Sequence, residues 1–237
     1  MKKVILFDLY DTILKDISFE FKEGLNWLYQ EYFTEACTWE EFKEYEETFW
    51  PLFAKRKEDN SEVCLIWDEV VKLFEKFKVI LPDDLEELDY TIMNQMQQDI
   101  LLEEVRDTLK KLQEQGIRMY ILSNSIFTGV STRRLLDDFG ILQYFDKVYS
   151  SADYGVRKPG EKFFNIAIEE ILSDNPGTCK EDILYVGNDY LTDVQGAMAA
   201  GLDVVWYNVK HLSDEKNTGV CEIDEFQMLL RITVPES

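Results

Sequence analysis

The residues best suited to chemistry stand at the ends of short apolar runs. Asp8 and Asp11 follow the first of these runs, and a carboxylate can attack phosphorus or carbon and hold the product covalently. Later runs are followed by a hydroxyl, an amine and further carboxylates: Ser123-Asn124, Lys158 and 188–193. A hydroxyl with backbone N–H groups binds phosphoryl oxygens, a lysine offsets developing negative charge, and carboxylates suit Mg2+. Residues of these types could together catalyse the transfer of a phosphoryl group.

The elements that must position these residues alternate between strand and helix. Apolar runs predict five strands, over 4–7, 118–122, 147–150, 183–186 and 204–207. Helices are predicted between them, over 102–115, 131–139, 162–172 and 193–201, with a last helix over 222–230. This alternation predicts an α/β fold with a doubly wound parallel sheet. The carboxyl ends of the first four strands then bring the reactive groups to one edge of that sheet.

Each reactive residue taken alone has a structural role as its alternative. Aspartates after a strand often cap a turn or a helix, which applies to Asp8, Asp11 and Asp193. Ser123 could likewise cap a turn or a helix, and Lys158 could be an ordinary charged residue at the surface. Their convergence at one sheet edge favours a common site over separate structural roles.

The stretch 15–98 differs in character from the rest of the chain. It has few turn residues, its apolar residues recur three and four positions apart, and it is rich in acidic and aromatic side chains. We therefore expect a helical domain over 15–98, inserted into a core formed by 1–14 and 99–237. Its aromatic side chains are predicted to form an interior, and a lid over the site is the alternative.

Composition excludes several classes of protein. The chain has 237 residues, of which 46% are hydrophobic and 30% charged, as in globular proteins. Its net charge of −22 argues against nucleic acid and anionic membranes as partners. A membrane span and a signal peptide are not predicted, and the four scattered cysteines favour reduced thiols, so we expect a cytoplasmic protein. The expected partner is a small molecule, and both a monomer and a homodimer remain open.

The reactive stretches resemble, in order, the four motifs of the haloacid dehalogenase (HAD) superfamily. The matching segments are Asp8-x-x-x-Thr12, Leu122-Ser123-Asn124, Val156-Arg157-Lys158-Pro159 and Val186-Gly187-Asn188-x-x-x-x-Asp193. The helical stretch lies where members of that superfamily carry an inserted helical cap, and the resemblance covers essentially the whole chain. It implies a Rossmann-like core with an α-helical cap domain.

The resemblance also implies roles for individual residues. Asp8 matches the nucleophile, and Thr12 supports the loop that carries it. Ser123 matches the residue that binds the phosphoryl or carboxylate group of the substrate, with Asn124 beside it. Lys158 matches the residue that neutralises the nucleophile and its adduct.

A Mg2+ cofactor is implied by the same resemblance. The ligands in family phosphatases match Asp8, the backbone carbonyl of Tyr10, and the acidic motif at Asn188, Asp189 and Asp193. Asn188 stands where members that use Mg2+ usually have an acid. The sequence therefore leaves two candidates, Asn188 and Asp189, for that ligand.

A second departure concerns the acid and base of the reaction. Tyr10 stands where family phosphatases carry an aspartate that serves the leaving group. A phenol with an ordinary pKa near 10 can donate a proton but is a poor base at neutral pH. Asp11 replaces the usual glycine, and it either takes over part of this role or orders the turn.

Three functions follow from this resemblance. The favoured one is a Mg2+-dependent phosphatase that acts on a small phosphomonoester through an aspartyl-phosphate on Asp8. A metal-independent 2-haloacid dehalogenase is an alternative, because such members have tyrosine at the position of Tyr10. However, they carry an arginine early in the cap, and 14–50 contains none. A catalytically weak binding or regulatory protein would also fit the changes at Tyr10 and Asn188.

Overall fold

The first strand of the chain lies at the centre of the fold. Its four apolar residues are buried on both faces, Val4 and Leu6 against one layer of helices and Ile5 and Phe7 against the other. The computed structural model describes residues 2–212 and 219–233. The strands in chain order are β1 (Val4–Phe7), β2 (Leu14–Phe19), β3 (Gln97–Leu101), β4 (Arg118–Ser123), β5 (Lys147–Ser150), β6 (Ile183–Gly187), β7 (Asp203–Tyr207) and β8 (Cys221–Ile223).

Six of these strands form one parallel sheet, in the order β5-β4-β1-β6-β7-β8. β1 is hydrogen-bonded to β4 on one side and to β6 on the other. The strand order reverses at β1, and in such sheets the crevice at that point binds ligands. The predicted α/β fold with a doubly wound parallel sheet is confirmed.

Helices cover both faces of the sheet. In chain order the helices of the molecule are α1 (Phe21–Tyr32), α2 (Trp39–Glu46), α3 (Trp50–Asp59), α4 (Val71–Phe77), α5 (Leu85–Met96), α6 (Glu103–Glu114), α7 (Gly129–Asp138), α8 (Ser151–Tyr154), α9 (Glu161–Asp174), α10 (Gly196–Ala199) and α11 (Leu229–Thr233). Short 3-10 or π turns lie at Glu47–Phe49, Ile66–Val70, Leu142–Tyr144, Lys180–Asp182, Tyr190–Gln195 and Phe226–Met228. α6, α7 and α11 pack on one face, and α9 and α10 pack on the other.

The end of the chain differs from its prediction. A helix was expected over 222–230, but 221–223 forms β8 at the edge of the sheet and α11 begins only at Leu229. Of the three residues of β8 only Ile223 is buried, which suits a short strand at the edge of the sheet. The free edge of β7 supplies the hydrogen-bonding partner that a short segment needs.

The helical stretch joins the core through a ribbon that the sequence did not predict. β2 and β3 pair in antiparallel fashion, with Asp16 opposite Asp99. The stretch 15–98 is therefore not helical at its two ends, because residues there are extended and belong to the paired strands β2 and β3. Helices α1 to α5 lie between the two strands, and we call residues 20–96 the helical insertion.

The interior of the helical insertion is largely aromatic. Phe33, Phe42 and Phe74 are buried there, with ring centroids 4.9 and 5.0 Å apart for the two pairs that involve Phe33. Thr38 begins α2 with a reciprocal capping arrangement to Glu41. The aromatic density is thus used mostly for packing. Among the described residues, no helix is long and apolar enough to cross a membrane.

Candidate active site

Asp8 follows β1 directly and lies at the carboxyl edge of the sheet. Its backbone N–H donates to the carbonyl of Val186 in β6 at 2.8 Å, so it continues the strand ladder by one residue. The chain then turns sharply, because the N–H groups of Ile13 and Leu14 both donate to the carbonyl of Leu9. Asp8 is 7% exposed, so this turn holds a carboxylate at a buried edge.

Lys158 connects the acidic groups of this edge. Its Nζ donates to Asp8 Oδ1 at 2.6 Å, to Asp193 Oδ1 at 2.7 Å and to the Tyr185 hydroxyl at 3.0 Å. The Tyr185 hydroxyl donates in turn to Asp193 Oδ1 at 2.8 Å. Three predicted residues from distant parts of the sequence, Asp8, Lys158 and Asp193, therefore meet in one buried cluster.

The charges of this cluster do not cancel when both carboxylates are ionised. Burial and repulsion from Asp193 raise the pKa of Asp8 to about 7, although the ammonium of Lys158 opposes this rise. Burial lowers the pKa of Lys158, but attraction to Asp193 and Asp8 outweighs it, and the pKa lies above its ordinary value. The lysine thus stays charged, and the site has an excess of negative charge that a further cation would offset.

Ser123 and Asn124 end β4 beside this cluster. The Asn124 amide binds the backbone of Lys158 at both ends, donating to its carbonyl at 3.0 Å and accepting from its N–H at 2.8 Å. Asn124 therefore positions the loop that carries the lysine. Ser123 is fully buried, and its hydroxyl has no hydrogen-bond partner within the described residues. Such a hydroxyl is available to a ligand.

Thr12 brings two further oxygens together. Its hydroxyl donates to Asp8 Oδ2 at 3.1 Å and to Asn188 Oδ1 at 3.4 Å. The indole N–H of Trp206 holds the backbone of Asn188 by donating to its carbonyl at 2.9 Å. An oxygen of Asp8 and an oxygen of Asn188 consequently lie around the same hydroxyl.

Asp193 and Asp189 have different environments. Asp193 is buried, and its Oδ2 accepts the backbone N–H of Asp189 at 2.9 Å. Asp189 is exposed, and its Oδ1 caps the following helical turn by accepting the N–H of Thr192 at 2.7 Å. A side chain at Gly187 would lie 2.5 Å from the carboxylate of Asp193, which explains a glycine at the end of β6.

Tyr10 and Asp11 lie on different sides of the first turn. The Tyr10 hydroxyl accepts a hydrogen bond from Gln97 Nε2 at 3.3 Å, and burial raises the pKa of Tyr10 above its ordinary value. Asp11 has a left-handed backbone with φ of 57° and forms an ion pair with Lys210 at 3.2 Å. Tyr10 lines a cavity of about 600 Å³, whereas Asp11 lines a separate groove of about 330 Å³.

The larger cavity lies between the sheet edge, the β2–β3 ribbon and the helical insertion. Gln97 and Asp99 reach it from β3, where Gln97 Nε2 also donates to Asp99 Oδ2 at 3.0 Å. Burial and repulsion from Asp16 raise the pKa of Asp99 to about 7. Sequence reasoning missed these residues and also Tyr185. A tyrosine inside an otherwise apolar buried strand was the available signal for Tyr185.

Oxygen donors at the sheet edge fit a hard divalent cation. Over residues 2–212 and 219–233, no group of three or more His, Cys, Asp or Glu side chains is arranged to hold a metal ion. The oxygens that lie around the Thr12 hydroxyl are instead mixed, a carboxylate oxygen of Asp8 and the carboxamide oxygen of Asn188. Mg2+ is held by one or two carboxylates and keeps several waters, so this set suits it. The excess negative charge of the buried cluster supports the same fit.

A family model described as a haloacid dehalogenase-like hydrolase matches residues 2–201. The chain belongs to the haloacid dehalogenase-like hydrolases. It is therefore a hydrolase, as the motifs indicated. The motif residues that carry the resemblance lie together at the carboxyl edge of the parallel sheet.

Relatives of this haloacid dehalogenase-like hydrolase include a named nucleotidase. Pyrimidine 5'-nucleotidase PynA of Streptococcus pneumoniae is 33% identical over 135 residues, which are 56% of this chain and 54% of that protein. The match thus spans about half of PynA. YfnB of Bacillus subtilis is 27% identical over 214 residues, which are 87% of this chain and 84% of that protein.

Solved structures share the fold of this haloacid dehalogenase-like hydrolase over its whole length. The structure of YfnB bound to magnesium has a TM-score of 0.60 at 24% identity and covers 98% of each chain. A 2-haloacid dehalogenase from Pseudomonas syringae has a TM-score of 0.68 at 19% identity, also over 98% of each chain. These two likenesses show that the fold is shared.

Proposed function

We propose that this protein is a Mg2+-dependent phosphatase that hydrolyses a small phosphomonoester through an aspartyl-phosphate on Asp8. The observation that carries the proposal is the position of Lys158, whose Nζ lies 2.6 Å from Asp8 and 2.7 Å from Asp193. A lysine held there stabilises negative charge that develops on the nucleophile and on the phosphoryl group. The relationship to PynA, which is named as a nucleotidase, supports phosphoryl transfer.

The cofactor of this proposal is Mg2+, held by Asp8, by Asn188 and by the backbone carbonyl of Tyr10. The bound ion would supply positive charge to the phosphoryl oxygens and to the nucleophile. Both oxygens of Asp193 already accept hydrogen bonds, so it would act mainly by holding Lys158 and the Asn188 loop. Asp189 caps a helical turn at the surface, and we leave it out of the ligand set.

In the first step, a carboxylate oxygen of Asp8 attacks phosphorus, and the bond between phosphorus and the ester oxygen breaks. The Ser123 hydroxyl is placed to bind a phosphoryl oxygen, because it is buried and lacks another partner among the described residues. Tyr10 remains protonated at neutral pH, so it can donate its proton to the departing alkoxide. Water then attacks the phosphorus of the aspartyl-phosphate, the bond between phosphorus and the Asp8 oxygen breaks, and a proton from the water returns to Tyr10. Inorganic phosphate leaves and the Asp8 carboxylate is restored.

The test is turnover of p-nitrophenyl phosphate by the full chain with Mg2+ and with EDTA. We expect activity with Mg2+ that EDTA abolishes, and a loss of roughly a thousandfold or more in Asp8→Asn because the nucleophile is gone. The matched control is Asp203→Asn, which removes an exposed carboxylate at the start of β7, and it should keep full activity. Turnover that survives Asp8→Asn or EDTA would rule the proposal out.

The absence of the usual acid predicts a slow enzyme that one substitution can accelerate. Tyr10→Asp restores a carboxyl group that can protonate the leaving group in the first step and then act as base for the attacking water. We expect an increase in kcat on the order of a hundredfold, larger for poor leaving groups than for p-nitrophenol. Tyr10→Phe is the control and should not gain activity. If Tyr10→Asp is no faster, the missing carboxyl group is not what limits turnover.

A dehalogenase remains the second candidate because of one observation. Arg56 lines the cavity that Tyr10 also lines, although it lies near the middle of the helical insertion and not at its start. A guanidinium in that place can bind the carboxylate of a 2-haloacid. Halide release from 2-chloropropionate in the presence of EDTA, without phosphatase activity, would favour this candidate. If neither activity is found, capture of a partner from cell extract would favour a binding protein.

A further inference from the structure

The cavity of about 600 Å³ is placed to receive the leaving group of a phosphomonoester. Three of its lining residues, Tyr10, Asn124 and Arg157, are one or two positions from residues of the proposed phosphoryl site. A group attached to a phosphoryl at that site therefore extends into the cavity. Its volume is in the range of pockets that bind small organic ligands.

One wall of this cavity is aromatic. Phe21, Trp50 and Phe53 form a cluster with ring centroids 5.4 to 6.1 Å apart, and Phe19 continues it from β2. Trp50 is 49% exposed and Phe19 is 46% exposed, so these rings are not consumed by internal packing. Exposed aromatic rings that line a cavity favour stacking with a flat ring of the ligand. We call these four residues the aromatic wall.

A second wall carries two arginines on one buried carboxylate. Glu62, whose side chain is 1% exposed, accepts from Arg56 Nη1 at 3.1 Å and lies 3.6 Å from Arg157 Nε. The Ser151 hydroxyl also donates to Glu62, at 2.9 Å. Two guanidinium groups share one carboxylate, so this wall keeps a net positive charge and unused N–H donors. We call Arg56, Glu62 and Arg157 the arginine cluster.

The arginine cluster is held rigidly between the helical insertion and the core. The N–H of Arg157 donates to the carbonyl of Asn60 at 2.9 Å, and the N–H of Glu62 donates to the carbonyl of Gly155 at 3.1 Å. The Arg56 guanidinium also lies 5.5 Å from the centroid of the Phe53 ring. Donors that are fixed next to an aromatic surface select oxygen acceptors at the rim of a flat ring.

The part of the lining that belongs to the β2–β3 ribbon is acidic. Asp16 and Asp99 line the cavity from this ribbon, together with the amide of Gln97. Carboxylates there favour hydroxyl donors and disfavour a leaving group that is anionic throughout. The cavity thus combines an aromatic surface, N–H donors and carboxylate acceptors.

We propose that the aromatic wall and the arginine cluster select phosphomonoesters whose leaving group carries a flat ring with carbonyl oxygens and also hydroxyls, as a nucleoside 5'-monophosphate does. The inference rests on the proposed phosphatase function and adds its substrate class. The ring stacks on the aromatic wall, its carbonyl oxygens accept from Arg56 and Arg157, and the sugar hydroxyls face the ribbon carboxylates.

The experiment compares kcat/KM for uridine 5'-monophosphate and ribose 5-phosphate with Mg2+. The two substrates share phosphate and ribose and differ in the base, so their ratio reports the subsite alone. We expect the full chain to prefer the nucleotide by roughly tenfold or more. Arg56→Gln, Arg157→Gln and Phe53→Leu should each reduce that ratio roughly threefold to thirtyfold. The matched control Arg133→Gln, at an exposed position of α7, should leave it unchanged.

Other outcomes separate this inference from the proposed function. A ratio near one in the unmodified chain, or variants that lower both rates equally, would overturn the inference while Asp8-dependent phosphatase activity stands. Absence of Asp8-dependent turnover of p-nitrophenyl phosphate would remove both. If Arg56→Gln does not fold, Arg56→Lys keeps a cation beside Glu62 and still loses the planar pair of donors. It should lower the same ratio.

Discussion

Acidic side chains are buried both at the sheet edge and in the interior of the helical insertion, with different surroundings. At the sheet edge, Asp8 and Asp193 share the ammonium of Lys158 and the hydroxyl of Tyr185. In the helical insertion, both carboxyl oxygens of Glu69 are buried without a hydrogen-bond partner among the described residues. Burial and the nearby Glu46 raise the pKa of Glu69 well above its ordinary value.

The two regions show what a buried acid requires. A carboxylate that must react as an anion needs a cation and hydrogen-bond donors, because burial otherwise favours its protonated form. Glu69 has neither and is buried as the neutral acid. A third case is Asp89 in α5, which is buried and accepts from the hydroxyls of Thr128 and Ser131. Substitutions in these three environments should therefore change the free energy of unfolding by amounts that differ in sign and size.

The largest effect is expected at the paired site. Lys158→Met removes the cation and leaves two carboxylates buried together, which should lower the free energy of unfolding by about 3–5 kcal/mol. Urea denaturation at neutral pH measures the change. The double variant Asp8→Asn with Lys158→Met should be less destabilised, because one of the two charges is gone. Equal loss in the single and the double variant would contradict this account.

An intermediate effect is expected at Asp89. Its Oδ2 accepts from the N–H and hydroxyl of Thr128 and from the Ser131 hydroxyl, so it holds the start of α7 against α5. Asp89→Ala leaves these donors without their acceptor and should cost about 1.5–3 kcal/mol. Denaturation is again the measurement, with Asp137→Ala at an exposed position of α7 as the control. A cost no larger than that of the control would show that these hydrogen bonds contribute little.

The smallest effect, and of opposite sign, is expected at Glu69. In the unfolded chain Glu69 loses its proton above its ordinary pKa of 4.5, whereas the raised pKa keeps that proton bound in the folded protein. The wild type therefore loses stability as pH rises from about 4.5 towards the raised pKa. Glu69→Met removes this loss and should stabilise the protein at pH 7 by about 1–2 kcal/mol. The gain should shrink as pH falls to 4.5, and a gain independent of pH would refute this explanation.

The sequence predicted the sheet and the meeting of distant residues for one physical reason. Apolar runs such as 4–7 and 183–186 can be buried on both faces only in a parallel sheet, so the residues that follow them share an edge. Asp8, Lys158 and Asp193 could be placed together from this rule and from the family motifs. The roles of Asn124 and Asp189 could not be, because a side chain that binds a backbone looks the same in sequence as one that binds a ligand.

The parts that were missed depend on contacts between distant segments. The β2–β3 ribbon exists because Asp16 and its neighbours meet residues some eighty positions later, and neither strand has an apolar run of its own. The arginine cluster is similar, since Arg56 and Arg157 meet only through Glu62. The raised pKa of Glu69 also follows from packing, because local sequence does not distinguish it from the exposed acids around it.

The central position of β1 has a consequence for folding during translation. β1 is synthesised before both of its partners, since Val4 pairs with Arg118 on one side and with Ile183 on the other. At ordinary rates of translation the second partner emerges roughly 10–40 s after β1. Lys158 and β4 are made before β6, but Asp193 is made after it. Asp8 therefore remains outside its buried cluster until the chain has been synthesised as far as Asp193.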